Sequence, residues 1–109
     1  MEKSKAGILS YAGLAMKAGK AVSGSAKAEA AIKSQKARLV LISGSAGKNT
    51  VKHFSDMAAF RNIPCFVLDD DGLLGQSVGK ENKKTVCITA AGFAAAIEKE
   101  INLYLGGKQ

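Results

Sequence analysis

Three short runs, Leu39-Val-Leu-Ile42, Cys65-Phe-Val-Leu68 and Thr85-Val-Cys-Ile88, are apolar at nearly every position and rich in β-forming residues. They constrain the fold most. A strand with one wet face alternates apolar and polar residues, whereas a strand apolar throughout needs cover on both faces. The segments between these runs have helical spacing, so the cover comes from helices and the strands are joined by crossovers. With the extended piece Lys20-Ala-Val-Ser-Gly24 added, the expected class is α/β: a three-layer α/β/α sandwich with a four-stranded mixed sheet.

The helices can be placed in turn. From about Ser4 to Ala18, the residues Ile8, Leu9, Ala12, Ala15 and Met16 make one apolar stripe, which Gly19 can terminate. Ser25 to Gln35 is rich in Ala and Lys, with Ala28, Ala31 and Ile32 spaced to face inward and Lys27, Lys33 and Lys36 outward. A third helix is expected from about Asn49 to Phe60, with His53 on its polar side. Asp69-Asp-Asp71-Gly72 can cap a short helix reaching about Gly79, on which Gly75 and Gly79 would share a face and permit close approach of another backbone. Thr89 would cap a last helix in which Phe93, Ile97, Ile101 and Leu105 recur every four residues.

A chain of 109 residues fits one hydrophobic core, so a single domain over residues 1–109 is expected. At 47% hydrophobic and 23% charged, it is not a disordered tail. No apolar run approaches the roughly 20 residues of a membrane span, and Met1-Glu-Lys-Ser-Lys-Ala6 leads into no signal segment. A cytoplasmic protein without membrane partners is expected. Cys65 and Cys87 sit in apolar runs, which points to buried thiols acting as small hydrophobes rather than a disulfide or metal site.

Sixteen Lys and Arg against nine Asp and Glu give a net charge of +7, and the excess is one-sided. Residues 1–52 carry ten Lys/Arg against Glu2 and Glu29; residues 53–109 carry six against seven. This predicts a positive face suited to a polyanion. The strongest local signal is Ser23-Gly-Ser25-Ala-Lys27, where hydroxyls and the free N–H groups of a first helical turn, with Lys20 and Lys27 nearby, make an anion site. By contrast, Gly44-Ser-Ala-Gly-Lys48-Asn-Thr50 is no nucleotide loop. Ile42 stands where that motif begins with glycine, and Asn49 where it needs a hydroxyl for magnesium. His53, the sole histidine, has no metal-ligand or nucleophile pattern around it. The aspartates at 69–71 do not make a calcium loop, since the twelfth position from Asp69 is Lys80. No catalytic residue, metal or cofactor is expected.

The ordered set Gly13-Leu-Ala-Met-Lys-Ala-Gly-Lys-Ala-Val-Ser-Gly24, Lys36 to Ser43, Asn62 to Leu68, Leu73-Leu-Gly-Gln-Ser-Val-Gly-Lys-Glu81 and Ile88 to Ala94 closely resembles the ribosomal protein L-seven-Ae family, its small bacterial members most of all. The likeness runs from about Ile8 to Ile97. It implies an α/β/α sandwich that binds kink-turns, sharply bent RNA helices with tandem sheared G·A pairs, and that is not an enzyme. The implied partner is structured RNA, ribosomal RNA included, and not DNA; a monomer is expected.

By the same resemblance, the RNA surface combines three segments. The first is the turn into the second helix, with Lys20, Ser23, Gly24, Ser25, Ala26, Lys27 and Ala30. The second runs from Ala46 to Thr50 and includes Lys48. The third runs from Lys80 to Thr85 and supplies Lys80, Lys83 and Lys84. The chain also departs from the family. Where the family has Gly-x-Asn-Glu-x-x-Lys, this chain has Gly24-Ser-Ala26-Lys27-Ala-Glu-Ala30, and Gly44-Ser45 replace an acidic pair. Ala26 has no side-chain hydrogen bond to offer, and Lys27 donates but cannot accept a guanine amino group. The alternative function is therefore a protein-interaction module that kept the fold and lost specific RNA readout.

Overall fold

A computed structural model describes residues 5–68, 73–79 and 83–106. The elements follow in the order α1 (Ala6–Lys17), β1 (Ala21–Ser23), α2 (Ser25–Lys33), β2 (Leu39–Ser43), α3 (Lys48–Phe60), β3 (Cys65–Leu68), α4 (Leu73–Ser77), β4 (Thr85–Ile88) and α5 (Ala91–Gly106). The strands form one mixed sheet in the order β1-β4-β2-β3. β4 runs antiparallel to both β1 and β2, and β2 pairs with β3 in parallel.

Every residue of β2 and β4 is buried, as strands covered on both faces require. Strand alternation divides their side chains between two cores. Leu39, Leu41, Val86 and Ile88 meet α1, α4 and α5 through Ile8, Ala12, Ala15, Leu74 and Ile97. Val40, Ile42 and Cys87 meet α2 and α3 through Ala28, Ile32, Phe54 and Ala58. The three layers follow, and the inward positions expected on α2 are the buried ones.

Cys65 and Cys87 are free thiols. Burial pushes the Cys87 thiol up to about 12 and that of Cys65 upward as well, so both are protonated at neutral pH. The Cys87 thiol donates to the Ala28 carbonyl at 3.6 Å.

Three expectations need correction. Gly75 and Gly79 do not share a helical face, because α4 ends at Ser77 and Gly79 adopts φ +75° in the turn beyond it. The close approach is made by Gly13 on α1 instead: a Cβ there would stand 2.6 Å from the Ser77 carbonyl oxygen. Leu105 is 43% exposed, whereas Ile97 and Ile101 are buried. A four-residue step overshoots one turn of 3.6, so the row drifts off the buried face. Thr89 lies two residues before α5, and its N–H donates to the Lys20 carbonyl at 2.9 Å. The acidic trio 69–71 lies outside the described residues.

Candidate nucleic-acid interface

The sheet order brings three separate segments together. Because β4 lies between β1 and β2 and antiparallel to both, its first residues stand beside the last residues of each. The Gly24 N–H donates to the Thr85 carbonyl at 2.9 Å, and the Ser43 N–H to the Lys84 carbonyl at 2.8 Å. The chain leaves β1 into α2 and β2 into α3 at this same end, so both helix N-termini open beside Lys83 and Lys84.

Two open hollows result. One, of about 350 Å³, is lined by Ser23, Gly24, Ser25, Ala26, Lys27 and Lys83. The other, of about 330 Å³, is lined by Gly24, Ser25, Ala26, Thr50, Lys83, Lys84 and Thr85. Neither α2 nor α3 has an acidic residue in its first turn or a side-chain cap, so the positive ends of both helices are not offset by side chains of their own first turns. The ammonium groups of Lys27, Lys48 and Lys83 have no partner among the described residues. Lys84 is held in place by donating to the Ser45 carbonyl at 3.2 Å.

Gly24 is required at this corner. It adopts φ +94° and ψ 154°, a region open essentially to glycine alone, and a Cβ would stand 3.2 Å from Lys83 Cδ. Beneath it, Thr85 is 1% exposed, and its hydroxyl has no hydrogen-bond partner among the described residues although Thr85 lines the second hollow. A buried hydroxyl without a partner is costly unless something else supplies one.

Of the residues named from the sequence, Ser23, Gly24, Ser25, Ala26, Lys27, Lys83 and Lys84 meet here. Lys48 is exposed at the start of α3, and Ala46 packs partly against the core beneath α2 and α3. Ala30 is exposed on the next turn of α2 and lines neither hollow. Lys20 sits at the other end of β1, beside Thr89, apart from the hollows. Lys80 lies outside the described residues. Thr50 and Thr85, which only bound the implied segments in the sequence, also line the second hollow. The signal that finds them is a hydroxyl at a helix start or strand end, and it acquires meaning only from its neighbours.

His53 is on the surface as expected, but it is not idle. Its Nε2 pairs with Glu29 at 2.9 Å, and Glu29 also pairs with Lys33 at 3.0 Å, which ties α2 to α3. The hydrogen bonds from His53 and Lys33 hold the Glu29 carboxyl below its ordinary value. The Lys52–Asp56 pair, at 2.8 Å, likewise raises the Lys52 ammonium.

A mixed sheet between helical layers, with two uncapped helix ends opening on lysines, defines a small α/β scaffold with one positively charged end. The chain belongs to the Ribosomal protein L7Ae/L30e/S12e/Gadd45 family, whose model it matches over residues 7–98. It is 33% identical over 93 residues to the RNA-binding protein YlxQ of Enterococcus faecium, covering 85% of this chain and 89% of that protein. It is 37% identical over 82 residues to the RNA-binding protein YlxQ of Bacillus subtilis (strain 168), covering 75% and 82%. A protein of unknown function from Bacillus halodurans C superposes with a TM-score of 0.81 at 28% identity, over 87% of this chain and 96% of that one. The 15.5kD RNA binding protein of Giardia lamblia gives a TM-score of 0.76 at 14% identity, over 97% and 91%, and so shares the fold. No helix among the described residues is long and apolar enough to cross a membrane.

Proposed function

We propose that this chain is a single-domain RNA-binding protein that acts as a monomer and recognises structured RNA of the kink-turn kind, in ribosomal or regulatory RNA. What carries the reading is the convergence of two uncapped helix N-termini with Lys27, Lys83 and Lys84 around one pair of hollows. Family membership and the two relatives named as RNA-binding proteins support it independently.

Phosphates take the backbone N–H groups of the first turns of α2 and α3 and the lysine charges around them. The corner at Gly24 lets the RNA backbone approach the chain closely. Ala26 occupies the place of the family's base-reading asparagine and lines both hollows, so base contacts there fall to Ser25 and Thr50. The rigid spacing of three segments then selects RNA chiefly by shape.

The test is fluorescence anisotropy of a labelled kink-turn at physiological salt against the same helix with its G·A pairs made Watson–Crick. A preference of tenfold or more for the kink-turn supports the reading. Equal affinity would reduce it to nonspecific RNA binding, and binding to neither would favour a protein partner.

A further inference from the structure

The opposite ends of α2 and α3 carry a second charged surface. The chain has only two arginines, Arg38 and Arg61, among its sixteen basic residues. The fold brings both to one hollow of about 280 Å³, together with Gln35 and Asn62 and with no acidic side chain in its lining. Beside it, Phe60 is 83% exposed, the Arg61 guanidinium lying 5.4 Å from its ring centroid.

The arginines are not needed to neutralise the helix ends. Left-handed turns at Gln35 (φ 61°) and Asn62 (φ 56°) close α2 and α3, and the backbone N–H groups of 34–37 and 61–63 take the last-turn carbonyls. Arg61 Nη1 adds only a long bond of 3.4 Å to the Met57 carbonyl, and the Arg38 guanidinium has no partner among the described residues. An exposed ring next to the Arg61 guanidinium, which shares its hollow with Arg38, matches a nucleotide: the base stacks on the ring and the phosphate takes the arginines.

This surface is separate from the first. The thirteen residues of α3 span about 20 Å, and the side chains along the helices between the two surfaces are engaged with one another: Lys52 with Asp56 on α3, and His53 of α3 and Lys33 of α2 with Glu29 of α2. We propose that Phe60, Arg38 and Arg61 form a second RNA site that takes an unpaired, single-stranded segment, distinct from the structured RNA at the α2 and α3 N-termini.

The experiment uses the full chain and two RNAs: a blunt kink-turn, and an unstructured alternating cytidine–adenosine strand about a dozen nucleotides long. Phe60→Ala and the double variant Arg38→Gln/Arg61→Gln should each weaken the single strand roughly fivefold or more and leave the blunt kink-turn unchanged. Lys83→Gln/Lys84→Gln should do the reverse. Phe60 is so exposed that its removal should leave the melting temperature unmoved, which separates lost contact from lost fold. Three results would overturn the proposal: no single-strand binding by the wild type, single-strand loss only in the lysine variant, or loss in the arginine variant alone with full competition by polyglutamate, which would indicate an acidic protein partner. Failure of kink-turn selectivity would leave this site standing.

Discussion

α2 and α3 begin together and end together, yet their two ends are built from different cations. At the N-terminal end, Lys27, Lys48, Lys83 and Lys84 come from three separate segments and surround open backbone N–H groups. At the C-terminal end, two arginines and an exposed ring sit over helix ends already closed by left-handed turns. Lysine is a mobile point charge that raises potential for phosphates in many geometries; arginine is a planar fork that also stacks. The first end suits a rigid, folded backbone and the second suits a splayed nucleotide.

The difference also shows what a charge count conceals. The basic half of the sequence, residues 1–52, does not form one positive face. Lys20 lies at the end of the sheet where Arg38 enters β2, Lys36 and Arg38 follow α2 and stand away from the candidate interface, and Lys83 and Lys84 join it from the other half. Net charge per segment averages over positions that the fold separates.

The largest way to break the contrast is to remove what both ends share. Phe54 is buried among Ala28, Ile32, Val40 and Ala58 beneath both helices. Phe54→Ala should lower stability by about 3–5 kcal/mol in urea unfolding and weaken both RNA activities together. If one activity survived at full strength in the partly unfolded variant, the two ends would not depend on a common frame.

Gly24→Ala should act at one end only. The backbone conformation there costs about 1–3 kcal/mol for a residue with a Cβ, and the added methyl displaces Lys83. Thermal melts should show the loss, and anisotropy should show weaker kink-turn binding with unchanged single-strand binding.

Ala26→Asn combined with Lys27→Glu sharpens the same end by restoring the family's base-reading pair. If each good base contact is worth about 1–3 kcal/mol, kink-turn preference over the Watson–Crick control should rise about tenfold or more. Unchanged preference would mean that shape alone sets selectivity.

The smallest effect is in the middle. Glu29 has its carboxyl pKa lowered in the folded protein, so the stability it contributes is present above its ordinary value of 4.5 and is lost as pH falls through the folded value. Melting temperatures of wild type and Glu29→Gln should differ at neutral pH and converge in acid. A gap constant across that range would assign the difference to something other than the carboxylate.

Much of the scaffold was legible in the residues. β3 and β4 fall on the runs Cys65–Leu68 and Thr85–Ile88, β2 adds only Ser43 to its run, and Ala28, Ala31 and Ile32 are buried as their spacing requires. These are local patterns, and local backbone geometry makes them readable. The candidate site was legible in part: Gly24 to Lys27 announce a helix start, and the family resemblance pointed to Lys83 and Lys84. What stayed hidden depends on partners distant in sequence. Gly13 matters because α4 passes it, Thr85 because no described residue meets its hydroxyl, and Arg38 and Arg61 because two helices end side by side.

By itself, the sequence determined the class of fold and the short-range signals at the start of α2, because periodicity and turn chemistry act over a few residues. Only the tertiary structure decided that β4 stands between β1 and β2. That one placement gathers both helix starts and the lysines of 83–84 at one end, and the shared direction of α2 and α3 gathers the arginines at the other. Strand order and helix packing are set by burying the two cores together, a sum over the whole chain that no single segment carries.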